Sequence, residues 1–331
     1  ALLSFNPNSF NDPTYWAKGS ELPQLINFAH HAHKSSNSYE SSVSRGIREL
    51  AGVLSGAPAG VKSSDSMVLM SDLHNNMLAL KSVRELIDHH PVFFVGDFAH
   101  EGTSVEQQLL LPALQGLGHP LMGVSGNHDS TQLMKKIAKD GGIVMGQDGQ
   151  LTRGGTWTGI PVYQFGKLRV MGFADPLEAK NPDSSNRNFS LTEEQKATIA
   201  DNWAQLVRQA HPNVVLVHQS GIADLLARKL HDQHLLILTG HDHTQHVERY
   251  DHVLVVDAGS VGAGGILGAG RQYVGLAKLY FTGSDLQAID MVRLEPIRGS
   301  GESQRIVFDE QCRMVDKLRC EYLIQNSPDH R

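Results

Sequence analysis

The chain of 331 residues has few cysteines, few aromatic residues and no excess of positive charge. Its only two cysteines, Cys312 and Cys320, lie close together near the C-terminus. The body of the chain therefore has neither a disulfide framework nor thiolate metal ligands, and the sequence leaves open whether the two cysteines pair. A net charge of −6 provides no basic field for a nucleic-acid backbone, which argues against a nucleic-acid partner.

The sequence also lacks long apolar runs. None of them reaches the roughly 18 apolar residues of a membrane-spanning helix, and no secretory signal segment opens the chain. Because the chain begins at Ala1 without a methionine, we expect that a signal or membrane anchor can precede it. An extracytoplasmic ectodomain of an anchored or secreted bacterial protein is thus slightly favoured over a cytoplasmic protein, and the oligomeric state cannot be predicted.

The order of apolar and polar segments divides the chain into three parts. Residues 1–60 have helix-compatible spacing and form a predicted N-terminal helical lead-in, followed by a main domain over 61–295 and a C-terminal tail over 296–331 with a short helix. The tail is predicted to begin as a loop at Ile297–Gln304. From Met67 onward, short apolar runs end in polar or glycine-containing turns, which is typical of buried strands.

Helix-length segments separate several of these runs. Met77–His90 and Leu191–His211 are predicted helices, and Thr192 with Gln195 three residues later forms a predicted capping box. Strands that alternate with helices indicate an α/β domain, whereas the closely spaced later strands indicate antiparallel pairs. The predicted fold is therefore two mixed β-sheets packed as a sandwich with flanking helices.

Five polar motifs directly follow apolar runs, where ligand sites of α/β proteins collect. The motifs are Asp72-Leu73-His74, Gly96-Asp97, Gly126-Asn127-His128-Asp129, His218 and Gly240-His241-Asp242-His243. Aspartate, asparagine and histidine without cysteine suit Zn, Mn or Fe. Seven candidate ligands exceed the need of one ion, and a shared carboxylate would let two divalent ions activate a water between them and clamp a phosphoryl group. The seven candidates are Asp72, His74, Asp97, Asn127, His218, His241 and His243.

The ordered set DxH, GD, GNHD, H and GHxH resembles the signature of the calcineurin-like metallophosphoesterases, over about Met67 to Leu294. The resemblance implies a metallophosphoesterase catalytic domain that hydrolyses a small phosphate monoester or diester. It also implies ligand sets for two ions, which are Asp72, His74, Asp97 and His243 for one ion and Asp97, Asn127, His218 and His241 for the other. Asp97 would then bridge the ions, His128 would stabilise or protonate the leaving oxygen, and Asp129 would orient His128.

Some residues depart from the family pattern. Asn75 stands where such enzymes often have glycine, and asparagine is the residue next best able to adopt a positive φ. His100 follows the second motif and is a candidate for substrate contact, as is Arg271 after a glycine-rich run. The turn Asp257-Ala258-Gly259-Ser260 resembles a common Asn-Pro-Gly-Ser turn of the family with two changes. His246 is predicted to be a solvated surface residue. Two alternatives stay open, namely a non-catalytic metal-binding scaffold of the same fold and a nuclease relative.

Overall fold

The computed structural model describes residues 65–87, 89–181, 189–262, 273–295, 300–308 and 323–326. The predicted lead-in over 1–60, the predicted helix in the tail, Arg271, Cys312 and Cys320 lie outside these residues. The helices of the described part are Met77–Ile87 (α1), Ser104–Leu114 (α2), Thr131–Lys139 (α3), Glu193–Ala210 (α4) and Ser220–Lys229 (α5). Within the described residues, none of the helices combines the length and the apolar character needed to cross a membrane.

The strands form two sheets, as the sequence predicts. The first sheet contains nine strands, which are Asp65–Met70 (β1), Val92–Val95 (β2), Leu121–Val124 (β3), Ile143–Gly146 (β4), Gly149–Gln150 (β5), Val274–Thr282 (β12), Asp285–Glu295 (β13), Ser300–Val307 (β14) and Leu323–Asn326 (β15). The second contains six strands, which are Val162–Phe165 (β6), Leu168–Gly172 (β7), Val214–Gln219 (β8), Leu235–Gly240 (β9), His246–Tyr250 (β10) and Val253–Asp257 (β11).

Strand directions are mixed in both sheets, with the order β15-β14-β13-β12-β1-β2-β3-β4-β5 in the first and β10-β11-β9-β8-β7-β6 in the second. Strands β1 to β4 pair in parallel, as do β7, β8, β9 and β11, whereas β12 to β15 are antiparallel. The parallel strands of each sheet therefore end at one edge, and the predicted antiparallel pairs of the second half are confirmed.

Alternation of side chains along the central strands builds the layers of the fold. In β1, Met67 and Leu69 face the core between the two sheets, whereas Val68 and Met70 face a core shared with α1, α2 and α3. Strand β8 alternates in the same way between the intersheet core and the layer of α4 and α5. A strand that is buried on both faces has to be apolar throughout. This requirement explains the continuous apolar runs of the sequence.

Helix α4 begins where the sequence predicts. Thr192 accepts a hydrogen bond from the backbone of Gln195, and the Gln195 side chain accepts one from Thr192 N, so the predicted capping box is confirmed. The loop predicted at Ile297–Gln304 is wrong for its second half. Residues from Ser300 belong to β14, which pairs with β13, because Ile306 reaches the intersheet core from an otherwise polar strand.

Candidate metal centre

The five polar motifs meet where the parallel strands of the two sheets end. Asp72 and His74 follow β1, Asp97 follows β2, and Asn127 follows β3. From the second sheet, His218 lies near the end of β8, and His241 and His243 follow β9. All seven candidate ligands therefore come from the converging carboxyl ends of strands, the usual place of a site in an α/β fold.

Three side chains form a group that we name the first cluster, namely Asp72, His74 and His243. His74 Nε2 lies 3.2 Å from His243 Nε2, and Asp72 Oδ1 lies 3.4 Å from His243 Nε2 and 3.8 Å from His74 Nε2. Asp72 is fully buried, and its Oδ1 has no hydrogen-bond donor. Burial lowers the pKa of His74 to about 4, so its imidazole is neutral at pH 7, the form that binds a metal.

Asp97, His218 and His241 form a second group, the second cluster. Asp97 Oδ2 lies 3.2 Å from His218 Nε2, and Asn127 Oδ1 lies 3.0 Å from His218 Nε2 and 3.1 Å from His241 Nδ1. Burial lowers the pKa of His241 to about 4. Although burial opposes it, the nearby His218 charge holds the pKa of Asp97 below its usual range. Together with Asn127, the cluster thus offers one carboxylate oxygen, one amide oxygen and two imidazole nitrogens.

Asp97 lies against both clusters. Its Oδ2, besides the contact with His218, lies 3.7 Å from His74 Nε2. Its Oδ1 accepts a hydrogen bond of 2.9 Å from His128 N, which fixes the carboxylate plane. One carboxylate oxygen of Asp97 therefore faces a histidine nitrogen of each cluster.

The spacing and orientation of these atoms fit metal ligands. Four atoms placed tetrahedrally at about 2.0–2.1 Å from a zinc ion lie about 3.3 Å from each other, which falls within the range of separations found here. His218 Nδ1 donates a hydrogen bond of 2.7 Å to the carbonyl oxygen of Val95, which turns Nε2 toward the cluster. Asn127 Nδ2 donates to the carbonyl of Phe189, which leaves Oδ1 toward the cluster.

The backbone of the ligand loops is strained. Asp72, His74, Asp97, His241 and His243 all have φ between 45° and 81°, a region that costs roughly 1–2 kcal/mol for a residue other than glycine. Asn75 has φ 58°, which confirms the prediction that it takes over the backbone position of a glycine. Such strain is typical of functional sites, where surrounding structure holds the backbone.

Hydrogen bonds between loops hold these strained turns. Asp72 N donates to the carbonyl of Gly96, and the Asp72 carbonyl accepts from Ser260 Oγ and Gly262 N. Asp129 is fully buried and accepts from Ala99 N through Oδ1 and from Gly126 N through Oδ2. Asp129 therefore joins the loops that carry Asp97 and Asn127.

His128 is half-buried beside the first cluster. Its Nδ1 is hydrogen-bonded to the carbonyl of His100. This carbonyl therefore orients the imidazole, a role that was predicted for Asp129. Its ring stacks on Phe189 with centroids 4.6 Å apart and lies 4.9 Å from the His74 ring. The backbone carbonyl only accepts a hydrogen bond, so Nδ1 is the donor in this contact.

His100 lies close to the imidazoles of His128 and His74. Its ring centroid lies 5.7 Å from His128 and 5.6 Å from His74, and its side chain is 45% exposed. Phe189, which stacks on His128, was not found by sequence reasoning, because an isolated phenylalanine in a polar segment carries no motif.

A second group missed from the sequence is the cluster of Asp242, His246 and Asp257. His246 is half-buried at the start of β10. One signal was available, because Asp257 ends an apolar run in the same way as the motif aspartates do.

Close packing around the ligands requires glycine at Gly126. A Cβ atom there would lie 2.1 Å from Asp97 Oδ1 and 2.4 Å from Asp97 N. We expect Gly126→Ala to lower the free energy of unfolding by about 1–3 kcal/mol, the usual cost of overpacking, and to reduce metal content. Urea unfolding and metal analysis measure the two effects. Gly154→Ala is the control, since its Cβ would meet its nearest neighbour at an ordinary 3.6 Å. Equal stability of the two variants would contradict the expectation.

Comparison with known proteins gives one family. The profile of the calcineurin-like phosphoesterase superfamily domain matches residues 66–277, more than half of the chain. No curated protein sequence matches the chain significantly.

Solved structures match at low similarity. The sulfate thiohydrolase SoxB of Thermus thermophilus is 13% identical with a TM-score of 0.42, and the match covers 73% of this chain and 58% of that one. A putative 5′-nucleotidase of Staphylococcus aureus is 17% identical with a TM-score of 0.38, covering 79% of this chain and 52% of that one. Vps29 of Entamoeba histolytica, complexed with Zn²⁺, is 13% identical with a TM-score of 0.38, covering 73% and 98%. The chain thus spans little more than half the length of the first two proteins.

Structural similarities of this size do not indicate an activity. The family profile over residues 66–277 includes every one of the seven candidate ligands. The chain belongs to the calcineurin-like phosphoesterase superfamily.

Proposed function

We propose that the protein hydrolyses a phosphate monoester or diester of a small molecule with two divalent metal ions. The observation that carries this proposal is the position of Asp97, whose Oδ2 lies 3.7 Å from His74 in the first cluster and 3.2 Å from His218 in the second. A carboxylate shared in this way is what a pair of ions requires.

The ligands divide between the two ions as the two clusters divide. Asp72, His74 and His243 would hold the first ion together with Asp97, and Asp97, Asn127, His218 and His241 would hold the second. Imidazole, carboxylate and amide donors without thiolate suit Mn, Fe or Zn. When bound, the ions supply Lewis acidity to the phosphoryl oxygens and acidify a water molecule.

Residues beside the metal ligands would donate a proton and fix the geometry of the site. With both ring nitrogens protonated, His128 can donate a proton from Nε2 to the leaving oxygen, while the His100 carbonyl accepts the hydrogen bond of Nδ1 and holds the ring. Phe189 covers one face of this imidazole and restricts its rotation. Asp129, through its bonds to Ala99 and Gly126, keeps the loop of His128 fixed against the loop of Asp97.

A small ester suits the charge of the molecule better than a polynucleotide does. The chain carries a net charge of −6, so attraction of an anionic ester depends on the bound ions rather than on a basic surface. A non-catalytic scaffold would need the metal ligands but not an oriented His128, which is why hydrolysis is preferred. Turnover of a panel of aryl and alkyl phosphate esters, measured with Mn²⁺ added, tests the proposal.

Removal of the metal ions is expected to abolish ester hydrolysis and to lower the thermal unfolding midpoint. Asp72 and Asp97 are both buried, and without a cation their charges repel each other. A ligand present at about a thousand times its Kd stabilises the native state by about 4 kcal/mol, so a chelator should cause a measurable loss. Calorimetry before and after dialysis against a chelator, with Mn²⁺ added back as the control, measures it. An unchanged midpoint would show that these side chains hold no ion.

A further inference from the structure

A third group of potential ligands lies outside the two clusters of the proposed centre. Ligand atoms of Asp242, His246 and Asp257 all lie within 4.8 Å of one another. His246 is the first residue of β10 and Asp257 the last of β11, and the two are direct partners in the antiparallel ladder. Side chains of directly opposed residues project from the same face of a sheet, so the strand register brings them together.

A backbone group is hydrogen-bonded to one polar atom of each of the three side chains. The other polar atom of each side chain can then serve as a ligand. Asp242 Oδ1 accepts a hydrogen bond of 2.9 Å from Thr244 N. His246 Nδ1 lies 3.1 Å from the carbonyl of Thr244, so Nδ1 carries the proton and Nε2 has a lone pair. Asp257 Oδ1 accepts from Gly259 N at 2.7 Å. Ligands whose second polar atom is held by the backbone are typical of metal sites.

The environment of the Asp257 side chain is a second observation that indicates a bound cation. Its side chain is fully buried, and its Oδ2 has no hydrogen-bond donor. Burial, with the charges of Asp72 and Asp242 adding to it, raises the pKa of Asp257 well above its usual range. A buried carboxylate oxygen beside another carboxylate is costly unless a proton or a cation accompanies it.

We propose that Asp242, His246 and Asp257 bind a third divalent cation, of the Mn²⁺ or Zn²⁺ class. Two carboxylates and one imidazole form a three-ligand set that leaves positions for water, and these donors suit both metals. The ion can reach the site from solvent, since Asp242 is exposed.

The third cation would act on the segment that holds the first cluster. Asp257 leads directly into Gly259, Ser260 and Gly262, and the last two donate hydrogen bonds to the carbonyl of Asp72. Fixing Asp257 therefore fixes the strained turn of Asp72. The proposal goes beyond ester hydrolysis and does not depend on it.

Equilibrium dialysis of the full chain against a fixed free Mn²⁺ concentration, followed by metal analysis, tests the third site. The native protein is compared with Asp257→Asn and His246→Gln, and with His252→Gln as a matched control at the exposed far end of the same hairpin. Asparagine imitates a protonated carboxyl group. If Asp242 and Asp257 only share a proton and bind no ion, Asp257→Asn will therefore bind as many ions as the native protein. Dialysis at equilibrium also counts an ion that binds weakly.

We expect Asp257→Asn and His246→Gln each to bind one equivalent fewer than the native protein and His252→Gln. Native counts in either folded variant would overturn the proposal, and His246→Gln provides this answer even where Asp257→Asn does not fold, because His246 is only half-buried. A different variant, Asp97→Asn, tests the proposed dinuclear centre. It should lose the ions of that centre and keep the ion bound by His246.

Discussion

Asp97→Asn is expected to reduce phosphoester hydrolysis by roughly a thousandfold, together with a loss of bound metal. Asp97 Oδ2 lies 3.7 Å from His74 Nε2 and 3.2 Å from His218 Nε2. The substitution would therefore remove a charged ligand from both ions at once. An amide oxygen is a neutral and weaker ligand. Metal ions stabilise the charge of such a transition state by several kcal/mol, and about 4 kcal/mol corresponds to a thousandfold in rate.

The experiment measures kcat/KM for an aryl phosphate ester and the metal content of the same samples. Asp148→Asn, which removes one exposed carboxylate, controls for the change in net charge. Circular dichroism and a thermal melt establish that both variants fold. A native rate in folded Asp97→Asn would show that the two clusters are not joined through this carboxylate.

His128→Gln is expected to lower the rate by roughly 10²–10⁴-fold for an alkyl phosphate ester, the range in which general acids contribute. The effect should be much smaller for a nitrophenyl ester, whose leaving group departs without protonation. This difference follows from the proposed role of His128 Nε2 as the proton donor, with Nδ1 held by the His100 carbonyl.

The metal content of His128→Gln should equal that of the native protein. Asp97 Oδ1 accepts its hydrogen bond from the backbone N–H of His128, which the substitution keeps. His234→Gln, at an exposed histidine, is the matched control. Equal losses for both classes of ester would contradict a role in protonation and indicate that His128 only binds the substrate.

Much of the fold could be predicted because its central strands are buried on both faces. Strands such as β1 and β8 have to be apolar throughout, and the polar motifs after them are then easy to recognise as loops at the sheet edge. The place of Asn75 was predictable for a similar reason, since few residues other than glycine adopt its φ of 58°.

The parts that could not be predicted depend on contacts between distant segments. Strand β14 is polar along most of its length and is a strand because β13 pairs with it, so local pattern gave a loop. The partner of His128 is the backbone carbonyl of His100, and no side-chain motif reports a backbone acceptor. The juxtaposition of His246 with Asp257 depends on the register of β10 and β11, which the sequence does not show.

We propose that metal ions bound at the clusters joined by Asp97 hydrolyse a phosphate ester. This proposal is tested most directly by metal-depleted protein to which Mn²⁺, Fe²⁺ or Zn²⁺ is returned in measured equivalents, with ester turnover recorded at each step. We expect no turnover without metal and a rate that appears as the ions bind, in the native protein but not in Asp97→Asn. Two or more bound ions with no turnover of any aryl or alkyl phosphate ester would contradict it and indicate a metal-binding scaffold.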